Sequence, residues 1–255
     1  MSSAQASTLD KPAPSFRLGA IFFKYRNFLF PVVLLALAIG TPPRLFRGDP
    51  RADALLDLAV IALAVAGQAI RAMTIGLEYI TRGGKNQQVY AKSLVVGGVF
   101  SHCRNPLYLG NILGILAMMV IHHGFWMYAI GVPYFALAYA SIIVEEERYL
   151  RGRFGPEYDE YCRRVPRLWL RPAGLMQTLR SAPFRWKRLI SKEYGTTFSG
   201  ASALLGMLLW ERYRLDAYDD QSRAIPAIVA VWAVLFVGYL TARVLKKQGR
   251  LRENV

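Results

Sequence analysis

The chain has 255 residues, 54% of them hydrophobic, and yet a formal net charge of +15. Apolar and cationic residues in those amounts have to be segregated along the sequence, and here they are, which excludes an ordinary soluble globular domain. A basic RNA-binding surface would need a soluble fold with clustered stacking aromatics, and three histidines and two cysteines without zinc-type spacing give no reason to expect a metal.

Residues 1–15 are rich in Ser, Ala and Pro and are expected to be disordered. Apolar segments follow near Phe28–Leu45, Ala54–Leu77, Leu107–Ile121, Phe125–Val144, Phe198–Trp210 and Ile225–Leu245. A spanning helix needs roughly 20 apolar residues, which the second, fourth and sixth segments reach comfortably. The first is interrupted by Pro31 and a Thr-Pro-Pro break, and the fifth is short enough to be re-entrant or buried. No convincing small-residue cleavage pattern follows the first run, so no signal peptide is expected. The expected fold class is an all-α integral membrane protein of about six transmembrane helices. With six spans and a cytoplasmic N-terminus, 25 Lys and Arg fall on the inside and 6 in the two outside loops. That is the positive-inside asymmetry, and it places both termini in the cytoplasm. The membrane is the inner membrane of a bacterium or the endoplasmic reticulum of a eukaryote. The surplus of cations suits anionic lipid headgroups rather than nucleic acid. Cys103 and Cys162 lie in cytoplasmic loops, where a structural disulfide is not expected.

Between the second and third segments, a loop from Thr81 to Cys103 is punctuated by Gly83-Gly84 and Gly97-Gly98. These are either plain turns or places where backbone approaches a ligand closely. The stretch "SHCRNPLYLGN", Ser101 to Asn111, then opens a helix: Pro106 suits the first turn and Asn105 suits the cap. Arg104 beside that helix N-terminus adds a cation to a partly positive site, which favours an anion. The two apolar stretches that follow are joined only by His122-His123-Gly124, so they form an antiparallel hairpin with both outer ends at the cytoplasmic face. This topology brings Arg104 and Tyr108 toward Glu145, Glu146 and Glu147. The glutamates are either a solvated helix end paired with Arg148, Arg151 and Arg153 or part of a site.

Phe154-Gly155-Pro156 stops the fourth helix, and "EYDEYCRRV" restarts as an amphipathic helix with Tyr158, Tyr161 and Val165 on one face. Ser181 to Gly195 reads as a basic interfacial segment, with Phe184, Trp186, Leu189 and Ile190 available to lipid.

Taken in order, these pieces resemble the isoprenylcysteine carboxyl methyltransferase and phospholipid methyltransferase superfamily. The residues that carry the resemblance are Arg104, Pro106, Tyr108 and Gly110; Glu146, Glu147 and Leu150; Phe154, Gly155, Tyr158 and Tyr161; and Val165, Pro166 and Arg167. They lie within Leu94 to Pro172, and Asn105 stands where the family usually has His. The resemblance implies a membrane-embedded methyltransferase that uses S-adenosylmethionine and methylates a lipid-like acceptor, a prenylcysteine-type carboxylate or a phospholipid amine. It also implies a cytoplasmic cofactor pocket built from the hairpin and the tail after it. Arg104 and Glu147 would be catalytic. Cofactor contacts would come from Arg104, Asn105, Pro106, Tyr108, Gly110, Glu146, Glu147, Tyr158 and Tyr161. Membrane sterol and steroid reductases, which bind NADPH, have a related motif and are the rival class, but Leu107 and Asn111 depart from their pattern. The corresponding division of the chain is a disordered 1–15, N-terminal spans and loop over 16–93, a methyltransferase core over 94–172, and an interfacial segment with two spans over 173–255.

Overall fold

The computed structural model describes residues 14–78, 93–215 and 221–251. Most of the expected disordered N-terminus and the Gly83-Gly84 pair lie outside these residues. The described residues are helical, with no strand among them. The long helices are α1 (Pro14–Gly40), α2 (Pro50–Leu77), α3 (Pro106–His122) and α4 (Phe125–Phe154). They continue with the short α5 (Pro156–Arg164) and α6 (Leu175–Ser181), then α7 (Trp186–Leu215) and α8 (Gln221–Lys247).

Four segments are long and apolar enough to cross a membrane: Leu18–Gly40, Pro50–Leu77, Phe125–Phe154 and Ala224–Lys247. A chain of this kind must satisfy its backbone internally where water is absent, and helices do so. The 17-residue α3 is shorter and sits among its neighbours. The structure also joins the expected interfacial segment to the fifth apolar segment as one 30-residue helix, α7. Its first half is too polar for a lipid-facing span, and it turns two charged residues inward: Arg188 and Glu193 are both buried. Phe184, expected to enter lipid, packs instead on Gly76 of α2. The first span begins earlier than its apolar run, because the helix continues back through Phe23, which is buried.

The helices of the hairpin lie side by side with different main partners: α3 runs along α2, and α4 runs along α1. Gly67 and Gly110 make the first contact possible. A Cβ on Gly110 would lie 2.5 Å from the Gly67 carbonyl oxygen, and one on Gly67 would lie 2.7 Å from that of Gly110. Small residues permit such close helix approach in a bilayer. Gly110, expected to touch the cofactor, therefore packs helix on helix. Leu37, Met119, Phe135 and Met207, from α1, α3, α4 and α7, share the main core. The last helix, α8, packs on α7 and leaves Val229, Val234 and Val237 exposed to lipid.

At the connection between α3 and α4, His123 adopts a left-handed conformation, φ 49°, and Gly124 caps α4. His122 is fully buried with Nε2 3.1 Å from the Thr41 carbonyl, while its Nδ1 accepts from the Gly124 N–H at 3.2 Å. A carbonyl only accepts, so the proton sits on Nε2. This end of the bundle also holds the start of α2, since Arg44 N–H donates to the His122 carbonyl.

Arg71, deep in the second span, is tied to Glu193 of α7 by paired hydrogen bonds of 2.9–3.1 Å, with side chains 5% and 2% exposed. Its Nη1 also donates to Asn111 Oδ1 at 2.6 Å and to the Leu107 carbonyl at 3.2 Å. Removing one partner of such a buried pair leaves the other charge uncompensated, at a cost of roughly 3–5 kcal/mol, while replacing both by apolar residues costs far less. Thermal unfolding in detergent should therefore show Glu193→Leu strongly destabilised and the Arg71→Met, Glu193→Leu double variant recovering most of the loss. Equal stability of the single and double variants would mean that the pair does not hold α2 to α7.

Candidate functional site

Thirty residues make α4 about 45 Å long at 1.5 Å per residue, longer than a hydrocarbon core of about 30 Å, and its last turns are its charged ones. Those turns carry Glu146 and Glu147. The mouth of α3 arrives at the same level because the hairpin is antiparallel. The contact expected from topology is present: Arg104 Nη1 lies 3.2 Å from Glu147 Oε1.

A second guanidinium closes on the same carboxylate. Arg167 donates through Nε to Glu147 Oε1 at 3.0 Å and through Nη2 to Oε2 at 2.7 Å, the forked geometry that makes Arg–carboxylate pairs strong. Glu147 is 4% exposed, and both its oxygens are committed to arginines. Arg104 is held from another side, with Nη1 2.6 Å from Cys162 Sγ on α5. Its Nε is buried and has no hydrogen-bond partner. The guanidinium of Arg104 is therefore not saturated by the protein.

Glu146 takes a hydrogen bond from the Tyr108 hydroxyl at 2.7 Å, and Arg26 of α1 reaches that hydroxyl at 3.4 Å. Tyr108 packs edge-on against Tyr139, with ring centroids 5.8 Å apart. Glu145 points elsewhere, onto a separate face of α4. There it joins Arg148, Tyr149, Gly152 and Arg153 along an open groove of about 450 Å³.

The tail after α5 is laced back onto the stretch before α3. Arg104 N–H donates to the Pro166 carbonyl at 2.9 Å, and Asn105 Nδ2 donates to the Arg167 carbonyl at 3.0 Å. Asn105 does occupy the cap position of α3, but its side chain makes no capping bond and serves this cross-link instead. Pro106 follows it as the first helical residue. His102 completes the lacing. Its Nδ1 meets the Arg171 carbonyl and its Nε2 meets Thr178 Oγ1, both at 2.9 Å, so Nδ1 carries the proton and the threonine hydroxyl donates. Arg171 N–H returns a bond to the His102 carbonyl at 3.0 Å.

Tyr158, Tyr161 and Val165 face one way, as their spacing predicts, and all three are buried against Leu94, Leu150, Phe154 and Cys162. The Tyr161 hydroxyl donates to the Phe100 carbonyl at 2.8 Å, and burial raises the pKa of both phenols. The two rings are part of the wall that fixes α5. At Gly97 and Gly98, the space a Cβ would fill holds the side chain of Glu78 from the end of α2.

Of the residues expected at the site, Arg104, Asn105, Pro106, Tyr108, Glu146 and Glu147 meet at one end of the bundle. Tyr158 and Tyr161 back them, and Gly110 lies a turn or more away between helices. Arg167, named in the motif without a role, is the missing member. Its signal was the fixed distance from the motif glutamates, which topology alone could not convert into a contact. His102 and Cys162 were likewise unassigned.

Residues 58–157 match the model of the phospholipid methyltransferase family. The match begins within α2, earlier than the motifs, and stops at Glu157, short of the tail that supplies Arg167. A curated relative, the cobalt-zinc-cadmium resistance protein CzcN of Cupriavidus metallidurans, is 36% identical over 111 residues, covering 44% of this chain and 46% of that one. The nickel-cobalt-cadmium resistance protein NccN of Alcaligenes xylosoxydans xylosoxydans is 40% identical over 73 residues, covering 29% and 34%. The matches thus span less than half the length of these relatives. No solved structure matches. The family match agrees with the motif resemblance and supports a membrane methyltransferase in general.

If Glu147 holds the tail in place, Glu147→Gln should weaken it, since a charge-assisted hydrogen bond contributes about 1.5–3 kcal/mol. Limited trypsin digestion in detergent should cut after Arg163, Arg164 or Arg167 at least tenfold faster than in wild type. The exposed Glu157→Gln serves as control and should digest like wild type. Equal digestion of all three proteins would show that the tail is held without the carboxylate.

Proposed function

We propose that the chain transfers a methyl group from S-adenosylmethionine to a lipid-like acceptor at the Arg104 end of the bundle. The observation that supports this most is the convergence of the ordered motif residues, with Arg104 and Glu147 43 positions apart in sequence and 3.2 Å apart in space. The residues present fit the cofactor. Arg104 offers an unpartnered, buried N–H for a carboxylate. Glu146, with Tyr108, offers an acceptor for ribose hydroxyls or an ammonium group. When bound, the cofactor supplies an electrophilic methyl on a sulfonium.

The remaining work falls to this chain. Glu147 positions Arg104 and Arg167, so that their charges are fixed before a ligand arrives, and preorganisation of this kind lowers the cost of alignment. Tyr158 and Tyr161 help exclude water from one side. An amine acceptor has to lose a proton, and Glu146 is the carboxylate we assign to receive it. A carboxylate acceptor is already a nucleophile and needs only an arginine to hold it. The basic loops put this end at the cytoplasmic face, where the cofactor is available, while the acceptor enters from the bilayer.

The names of the relatives point to resistance against divalent metals. Methylating a lipid carboxylate removes a negative charge, and quaternising an amine fixes a positive one. Either product would make a membrane surface less attractive to metal cations.

The test is incorporation of radiolabelled methyl from S-adenosylmethionine into extracted membrane lipid by purified protein, with NADPH oxidation followed in parallel. Label should enter the lipid fraction with wild type and fall at least tenfold with Arg104→Met or Glu146→Gln. Base treatment separates the acceptors, since an ester releases its label as methanol and an N-methyl group keeps it. NADPH consumption without label transfer would establish the reductase class instead.

A further inference from the structure

We infer that the opposite end of the bundle is a binding site for one divalent cation held through oxygen, built from Asp53 and Asp57 of α2 and Glu211 of α7. It is independent of the methyl-transfer reading. Sequence gave no hint of it, because the glutamate stands more than 150 positions from the aspartates and no histidine or cysteine accompanies them. The fold brings the three together. Asp53 and Asp57 are one helical turn apart on α2, and α7 crosses beside them, so that one carboxylate oxygen from each residue lies within 4.8 Å of the others.

All three residues are buried, at 1%, 4% and 0% exposure. Asp53 Oδ1 accepts from the Phe46 N–H at 2.7 Å, which fixes the first carboxylate. Glu211 is the independent observation. It reaches in from another helix, is wholly buried, and accepts at neither oxygen from any nitrogen or hydroxyl donor; Asp57 Oδ2 accepts from none either, so the two carboxyls face only each other. Buried polar atoms nearly always have a partner, and a buried carboxylate with none is costly. Ionisable groups inside a membrane protein also cost too much to be kept without a use.

The electrostatics point to a doubly charged partner. Burial and mutual repulsion among the three acids dominate at Asp57 and Glu211, and the field of Arg212 offsets this only in small part. A divalent ion would offset the mutual repulsion of carboxylates packed this closely. The distances agree, since oxygens bound to one such ion at about 2.0–2.6 Å lie no more than about 5 Å apart. An all-oxygen donor set favours a hard ion of the Mn²⁺, Mg²⁺ or Ca²⁺ type over a soft one that prefers thiolate.

The experiment is a titration of EDTA-stripped full-length protein, in uncharged detergent, with Mn²⁺, reading free ion by its electron paramagnetic resonance signal. Wild type should bind close to one Mn²⁺ per chain saturably, and Ca²⁺ or Mg²⁺ should compete. Glu211→Gln and Asp57→Asn should each weaken binding at least tenfold. Both variants relieve repulsion among buried acids, so they should elute like metal-free wild type and unfold at the same temperature or higher, which checks that loss of binding is not loss of fold. Absence of saturable Mn²⁺ binding by wild type would overturn the proposal whatever the variants do. So would binding unchanged in both variants, in which case the acids share protons and hold no metal.

Discussion

One carboxylate organises the end of this protein where chemistry is expected. Glu147 sits toward the charged end of α4, where it pairs with Arg104 before α3 and accepts two hydrogen bonds from Arg167 in the tail. Three segments distant in sequence meet on two oxygens. The charge is buried, so it needs both arginines, and the arginines need it in turn. The neighbouring backbone lacing at Pro166, Arg167 and Arg171 lies beside this anchor, with the tail running antiparallel to residues 102–105. What this arrangement withholds is as informative as what it binds. Both oxygens of Glu147 are engaged by arginines, whereas the Nε of Arg104 has no partner and Glu146 sits apart with Tyr108.

The rest of the bundle is arranged so that this end can be polar. Apolar side chains from α1, α2, α3, α4 and α7 form the core, while α8 meets lipid. Polar residues inside are spent on joining helices: Arg71 and Glu193 tie α2 to α7, and Asn111 adds α3 to the same knot. The opposite end carries the acidic trio, so cationic and anionic clusters occupy the two ends of one molecule. That polarity is a property of the tertiary fold. Linear charge counts see only the basic loops.

The sequence shows some of this directly. The helix class, the hairpin around His122-His123-Gly124 and the shared face of Tyr158, Tyr161 and Val165 follow from periodicity and turn chemistry, which act over a few residues. The approach of Arg104 to the glutamates follows from antiparallel topology. Other features needed contacts that no local pattern encodes. The merging of the basic segment with the fifth apolar segment into α7 depends on Arg71 receiving Glu193 from across the bundle. Gly110 stands out only as a member of a motif, and its close packing on Gly67 of α2 appears only in the fold. Asn105 looked like a helix cap, and it does hold the cap position, but its amide is drawn off by the Arg167 carbonyl. In each case a tertiary partner outbid a local preference.

The central claim is that a methyl donor binds where Glu147 joins Arg104 to Arg167. Hydrogen–deuterium exchange of the protein in nanodiscs, with and without S-adenosylhomocysteine, tests it most directly. The account predicts slower exchange in residues 101–105 and 158–171, with residues 41–57 and 207–215 at the other end unchanged. Protection confined to that other end, or no change in either site segment at saturating ligand, would contradict it.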